Sequence, residues 1–456
     1  MNSPPLRPYI KNLILIGGGH SHIAVIKELG MKPLPGVRIT LVSENTYTPY
    51  SGMLPGLIAG HYNFDDCHID LRKLCQWANI RFISSKVKSI NIKENKVICH
   101  QYPSLFYDLL SINTGSTPRL HTIHGALKYG HAVKPINKFI SQWQLWLRAA
   151  ATTTQTREII VVGGGAAGIE VLLAMRYRLH NTGNIRAKFT LICSEESILS
   201  SHNQRVQKFF QQHLIALGIK IITNQKAVSI TAHQLLLTNG QKLDVDFVTW
   251  AIDAGAQSWL AESGLQCDSK GFIQVDKFLR SISHPEVFAA GDSAAFTPSP
   301  LPKAGVYAVR QAPILTKNLI ASLKKQSLHP FKPQHRYLSL LTTGERHAVA
   351  SRGLLFAKGK WVWHWKNHID RKFMARFNPA PMISRNKNDD NLNETMRCGG
   401  CGAKISSSIL QKVLSQLAIR PHPDLVNSLG DDAAIINLPA GTQLIQSVDF
   451  FRGFID

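Results

Sequence analysis

Two glycine-rich turns, Gly17-Gly18-Gly19 and Gly163-x-Gly165-x-x-Gly168, are the residues in this chain best suited to holding a large anion. Each follows an apolar run of strand length, Leu13–Ile16 or Ile159–Val162, and each leads into a helical-looking stretch. A strand that turns sharply into a helix N-terminus leaves several backbone N–H groups aimed at one spot. Glycine lets a pyrophosphate approach them, and the helix dipole favours its charge. One such turn is a weak signal; two, far apart in one chain, point to two nucleotides bound side by side. The first copy reads Gly17-x-Gly19-x-x-His22, with histidine where a third glycine normally permits close helix–strand packing. His20 and His22 either face the bound nucleotide or cap and line the turn. The second copy is complete, and Glu170 follows on the first helical turn.

Other residues fall where a dinucleotide needs partners. Glu44 ends the next strand, Val37–Val42, at the place from which an acid accepts hydrogen bonds from a ribose. The corresponding strand of the second copy, Lys188–Cys193, ends in Ser194-Glu195-Glu196 with no arginine, which favours the unphosphorylated ribose of NADH over NADPH. Tyr107–Thr117 is an apolar strand ending in Thr114-Gly115, read as a crossing beneath a bound dinucleotide. Val287–Ala295, VFAAGDSAA, is read as a strand that ends in Ala-Gly-Asp and enters a helix, so that Asp292 faces the ribityl and phosphate of a flavin.

These residues need two parallel α/β sheets to position them. The pattern predicts two Rossmann-like dinucleotide-binding domains followed by a short α+β C-terminal segment. The first domain is discontinuous, residues 10–130 and 250–325, and takes FAD; the second, 131–249, takes NAD(P)H. A C-terminal extension covers 326–383, a polar linker 384–395 and a separate segment 396–456. Thr48–Gly60 reads as an ordered loop with short helical turns. Ile80–Ser89 and Lys96–Cys99 alternate as hairpin strands should, and Phe247–Ala251 reads as the return into the first domain. The chain has 456 residues, 44% hydrophobic, enough for two or three cored domains. No apolar run reaches the roughly 18 residues of a membrane span, and the N-terminus carries no secretory pattern, so a cytoplasmic location is expected. Seven scattered cysteines do not suggest a disulfide framework. The formal net charge of +23 implies either a solvated basic surface or attraction to anions, and no motif supports nucleic acid.

The motifs GGGHSH, TPYSGMLPGLIAG, NTGS, GGGAAGIE, VFAAGD and KAGVYAVRQAP resemble the FAD-dependent pyridine nucleotide oxidoreductases, and within them the type II NADH dehydrogenases. TPYSGMLPG and GVYAVRQ are similar to the flavoprotein fused to selenide, water dikinase in some bacteria. The resemblance covers about residues 10–380. It implies FAD held by Gly17, Gly18, Gly19, His20, Glu44, Thr114, Gly115 and Asp292, and NAD(P)H held by Gly163, Gly165, Gly168, Glu170 and Glu195. No cysteine pair follows the first glycine turn, so the redox disulfide of the glutathione reductase branch is missing. Hydride would pass from nicotinamide to flavin and on to an external acceptor. Where the quinone-reducing relatives carry glutamines, this chain has Val306 and Arg310, which argues against a quinone acceptor.

Phe356–Phe377 mixes tryptophans with lysines and arginines. It fits a hairpin and helix packed on the flavin domain, or a dimer contact, better than a segment lying at a bilayer surface. Beyond the linker, MRCGGCGAKISSSILQKVL, LGDDAAII and SVDFF resemble the start of selenide, water dikinase. Cys398-x-x-Cys401 alone is too few for a four-cysteine zinc site, and it lacks the context of a thioredoxin-like pair. The resemblance makes Cys401 and Lys404 the reactive pair, and Asp431, Asp432 and Asp449 candidate ligands for Mg²⁺ and ATP phosphates. On this reading the segment is a truncated, inactive front end. The competing functions are selenophosphate synthesis fed by the flavoprotein part, and a non-catalytic flavin-binding scaffold.

Overall fold

A computed structural model describes residues 11–152, 155–183, 185–252, 254–334, 336–377, 433–437 and 443–447. They divide into two compact units, one from 1–84 and 107–379 and the other from 85–106 and 380–456.

The larger unit opens with β1 (Lys11–Ile16), α1 (His20–Met31) and β2 (Val37–Ser43), followed by the short helix α2 (Leu54–Ala59), β3 (Arg81–Ser84) and β4 (Leu109–Ile112). Then come β5 (His131–Ala132), α3 (Ile136–Ala150), β6 (Arg157–Val162), α4 (Ala166–Thr182), β7 (Ala187–Ile192), α5 (Gln204–Ala216), β8 (Lys220–Ile222) and β9 (Phe247–Trp250). The unit ends with β10 (Val287–Ala289), α6 (Gly305–Leu323), the meander β11 (Ser339–Thr342), β12 (Ala348–Arg352) and β13 (Leu355–Gly359), and α7 (Lys360–Ala375). Two five-stranded sheets, β10-β4-β1-β2-β3 and β5-β9-β6-β7-β8, are built to one plan, with every pairing parallel.

The apolar runs become central strands because both faces of a parallel sheet are covered. In β1, Leu13, Ile14, Leu15 and Ile16 are all buried. In β6, Ile159 and Val161 face a core shared with α3, α4 and α5, while Ile160 and Val162 face a second core with Trp250, Leu235 and Val245. Alternation along the strand sends successive side chains to opposite layers. Burying each such side chain contributes about 1.5–3 kcal/mol. No helix among the described residues is long and apolar enough to cross a membrane.

Three sequence expectations need correction. The run Ile80–Ser89 is not one hairpin strand: Arg81–Ser84 is the edge strand of the first sheet, parallel to β2, and only Val87–Asn91 pairs antiparallel with Lys96–Cys99. The alternating pattern is shared by both halves, so it could not reveal the break between them. Phe247–Trp250 does not leave the second domain but lies centrally in its sheet, between β5 and β6. The return is made at Ala254–Gly255, which pairs antiparallel with Thr117–Pro118. After Ala-Gly-Asp the chain enters a single 3₁₀ turn, Gly291–Ser293, and a short strand, Ala294–Phe296; the long helix begins only at Gly305.

The smaller unit contains the antiparallel strands Val87–Asn91, Lys96–Cys99 and Tyr102–Phe106. Its other described residues form an antiparallel pair, Ala433–Asn437 with Gln443–Ser447. Cys401, Lys404, Asp431, Asp432 and Asp449 lie outside the described residues.

Candidate dinucleotide sites

The first glycine turn joins the carboxyl end of β1 to α1. Gly17 has φ +90, and a Cβ there would come within 2.5 Å of the Asn113 carbonyl. Gly18 lies against Leu71 and Gly19 against the Asn113 side chain. Asn113, just past β4, organises the turn. Its Oδ1 accepts from the Ser21 and His22 amides at 3.1 and 3.4 Å, its carbonyl accepts from Gly19 N–H, and its Nδ2 donates to the Ala290 carbonyl at 2.7 Å. One buried amide therefore caps α1 from outside and pins the Ala-Gly-Asp turn beside it.

His22 belongs to the scaffold. Its Nδ1 donates to the Gly17 carbonyl at 2.7 Å, and its Nε2 accepts from Ser111 Oγ at 2.8 Å. With both nitrogens so used the ring is neutral, and burial pushes its pKa down to about 4. His20 is different. Its Nε2 is buried with no partner among the described residues. Burial lowers its pKa to about 4, with Asp292 opposing the shift and Lys134 adding to it. His20 thus lies within electrostatic reach of Asp292, so the first glycine turn and the Ala-Gly-Asp turn share one neighbourhood.

Asp292 Oδ2 accepts from Lys134 Nζ at 2.6 Å and from Ser116 Oγ at 2.8 Å. Burial alone would raise its carboxyl, but Lys134, Ser116 and Lys303 outweigh that and hold it below its ordinary value. Lys303, itself lowered to about 8 by burial, sits over the Phe272 ring at 3.6 Å. Thr114 N–H donates to Ser293 Oγ at 2.9 Å, and Gly291 N–H donates to Gln311 Oε1 at 2.6 Å. Gly115, at φ +80, has open space where a side chain would stand. Glu44 is exposed beyond the end of β2.

The second turn joins β6 to α4. Gly163 has φ +129 and lies against the Ala251 carbonyl, and Gly168 lies against the Gly163 carbonyl, so neither tolerates a side chain. Gly165 faces open space, and α4 has no side-chain cap. A 17-residue helix whose first amides lack a capping side chain is a ready anion site. Glu195 is exposed past β7. Glu170 is half-buried: Oε1 accepts from the Thr342 amide and hydroxyl at 2.7 and 3.0 Å, and desolvation raises its carboxyl. The open cradles at Gly115 and Gly165 and the orphaned His20 nitrogen fit two dinucleotides. Sequence reading gave no role to Asn113, Lys303 or Gln311, although they stand in the motifs NTGS and KAGVYAVRQAP, and it missed Lys134, an isolated polar residue outside any motif. Among the described residues no group of acids, histidines and cysteines could hold a metal ion.

Residues 11–312 match the pyridine nucleotide-disulphide oxidoreductase family. The chain belongs to that family. It is 34% identical over 105 residues to the sulfide-quinone reductase of Aquifex aeolicus, which covers 23% of this chain and 24% of that protein. It is 25% identical to the oxidoreductase ptaL of Pestalotiopsis fici across 75% of this chain and 92% of that one. A shorter match, 38% over 68 residues, is to the selenide, water dikinase of Bdellovibrio bacteriovorus, 14% of this chain and 19% of that protein. Among solved structures, the Aquifex sulfide:quinone oxidoreductase superposes with a TM-score of 0.68 at 20% identity, covering 80% of this chain and 91% of that one. NDH2 of Plasmodium falciparum in complex with NADH gives 0.70 at 17% identity, covering 80% and 97%. Family membership makes the protein an oxidoreductase of the pyridine nucleotide-disulphide type, and these structures share its fold.

Proposed function

We propose that this flavoprotein oxidises NADH and passes the electrons through FAD to an external acceptor. The observation that carries the reading is the pair of like-built parallel sheets, each opening its glycine turn at a carboxyl edge, with Asp292 fixed beside the first turn through Asn113. Gly17, Gly18, Gly19, His20, Thr114, Gly115 and Asp292 would hold FAD, with Glu44 on its ribose. The first amides of α4, opened by Gly163, Gly165 and Gly168, would receive the pyrophosphate of NADH, with Glu195 on its ribose. FAD supplies two-electron chemistry when bound. The chain's part is to hold the two rings in line, exclude water and fix the charges around them. Purified protein should be yellow and should bleach anaerobically with NADH faster than with NADPH. A colourless protein indifferent to both would overturn the reading.

The acceptor is open between dyes, quinones and small oxyanions. The dikinase-like residues Cys401, Lys404, Asp432 and Asp449, together with the short match to the Bdellovibrio dikinase, support a second reading in which reduced selenium is the product. NADH-dependent reduction of selenite, compared with a panel of quinones and dyes, tests it. Selenophosphate formed from selenide and ATP would further require a working dikinase segment with Mg²⁺.

A further inference from the structure

The last helix, α7, belongs to neither sheet, yet one of its rings reaches the first glycine turn. His20 follows Gly19 and is the first residue of α1. The Tyr50 ring meets His20 edge-on at 5.5 Å, and the Phe373 ring lies against it at 5.8 Å. Tyr50 and Phe373 stack on each other at 4.6 Å. Polar contacts fasten α7 to the same stretch of chain. Lys366, paired with Asp370 at 2.6 Å, donates from Nζ to the Gly52 carbonyl at 2.6 Å, and Tyr62 Oη donates to Asn367 Oδ1 at 2.9 Å. Just past the helix, the Phe377 ring packs on Phe373 at 5.1 Å and receives Lys27 of α1 over its face at 5.8 Å.

Held in this way, His20 keeps one nitrogen unused. Its Nε2 is cut off from solvent and has no partner among the described residues. Leaving a buried polar atom unpaired is costly. The ring is neutral, because burial lowers its pKa to about 4, and in the tautomer protonated on Nε2 it is a donor. The turn beside it is short of donors. The Gly17 amide donates to the Val42 carbonyl, the Gly19 amide to the Asn113 carbonyl, and the Ser21 and His22 amides to Asn113 Oδ1. The first amides of α4 have no side-chain cap. A diphosphate on the first turn therefore meets fewer free amides than one on the second, and an imidazole N–H at the first helical residue makes up the difference. Asp292 cannot serve there, since a carboxylate only accepts.

We propose that His20 donates from Nε2 to the diphosphate of FAD, and that Phe373 and Tyr50 are positioning residues that hold its ring to that task. The C-terminal helix thereby becomes part of the flavin site although it lies far along the chain from the glycine turn. This rests on the flavoenzyme reading above.

The test uses the full-length flavoprotein and follows FAD release after dilution by the fluorescence of freed flavin. His20→Leu should release FAD about tenfold faster or more, while His20→Gln, which keeps a donor, should stay within about threefold of the parent. Phe373→Ala leaves the turn's own residues in place and should speed release about as much as His20→Leu. The double variant should be no faster than either, because both act through one bond. Val362→Ala loosens the buried face of α7 away from His20 and should leave release within about twofold of the parent. ADP, which shares only the adenosine diphosphate part of FAD, identifies the group contacted. Its inhibition constant against FAD rebinding should rise about tenfold in His20→Leu. Unchanged release in His20→Leu, additive effects in the double variant, or unaltered inhibition by ADP would each overturn the proposal. Should His20→Leu fail to fold, Phe373→Ala alone must show both the faster release and the weaker inhibition by ADP. A parent protein that neither carries nor takes up FAD would overturn the flavoenzyme reading instead.

Discussion

Glycines that look interchangeable in the motif do different work. Gly163 and Gly168 are held by steric necessity, Gly165 by the space in front of it. Gly165 has φ −79, which alanine adopts freely. Gly165→Ala should therefore leave the melting temperature and FAD content unchanged while its methyl group narrows the cradle, raising KM for NADH about tenfold or more. Gly163→Ala should instead unfold at lower temperature. A Gly165→Ala variant with unaltered NADH kinetics would show that the pyrophosphate lies elsewhere. His22 makes a second prediction. Its pKa is about 4 in the folded chain, against 6.5 for a free histidine side chain. The unfolded chain therefore binds the extra proton first, and the contribution is present above pH 6.5 and lost as pH falls toward 4. The shift corresponds to roughly 3 kcal/mol. His22→Gln, which can keep a polar contact without titrating, should flatten the pH dependence of unfolding by denaturant across that window.

At the scale of elements, α1 and α4 begin alike in sequence but not in structure. The first turn of α1 is capped by Asn113 from far along the chain, while the first turn of α4 has no capping side chain. Asn113→Ala removes the partner of two helix amides and of the Ala290 carbonyl. It should destabilise the protein by roughly 2–4 kcal/mol and lower FAD content in purified protein, while NADH affinity changes little. The contrast shows what is legible in sequence. Strand–glycine–helix units are local, so both sheets are visible from apolar runs and glycine spacing alone. Asn113 acts across a long stretch of sequence and carries no periodic signature. The Lys366–Asp370 pair is hidden differently: α7 displays Trp361, Trp365 and Ile369 to solvent, and its many basic residues disguise the one lysine that points inward. Glu170 sits on its helix as the spacing predicts, and its Oε1 accepts from the Thr342 amide and hydroxyl, a partner far along the chain that sequence does not show.

For the molecule as a whole, the two nucleotide-binding sheets must act as one body if their ligands are to exchange hydride. Three features join them: the antiparallel pair Thr117–Pro118 with Ala254–Gly255, the packing of α2 on α4, and the ion pair of Lys134 with Asp292. Lys134 follows β5, the edge of the second sheet, yet it sets the charge of an acid beside the first sheet's turn. Without it, Asp292 keeps Ser116 and the nearby Lys303, and the desolvation that raises its pKa has less to oppose it. Its carboxyl should then protonate at higher pH. A protonated Asp292 loses its strength as an acceptor for ligand hydroxyls. Lys134→Met should therefore release FAD on acidification at a midpoint about one pH unit above that of the parent protein, read by the fluorescence of freed flavin, with little difference near neutrality. Coincident midpoints would mean that the lysine only bridges the two sheets and does not govern the charge on which flavin retention depends.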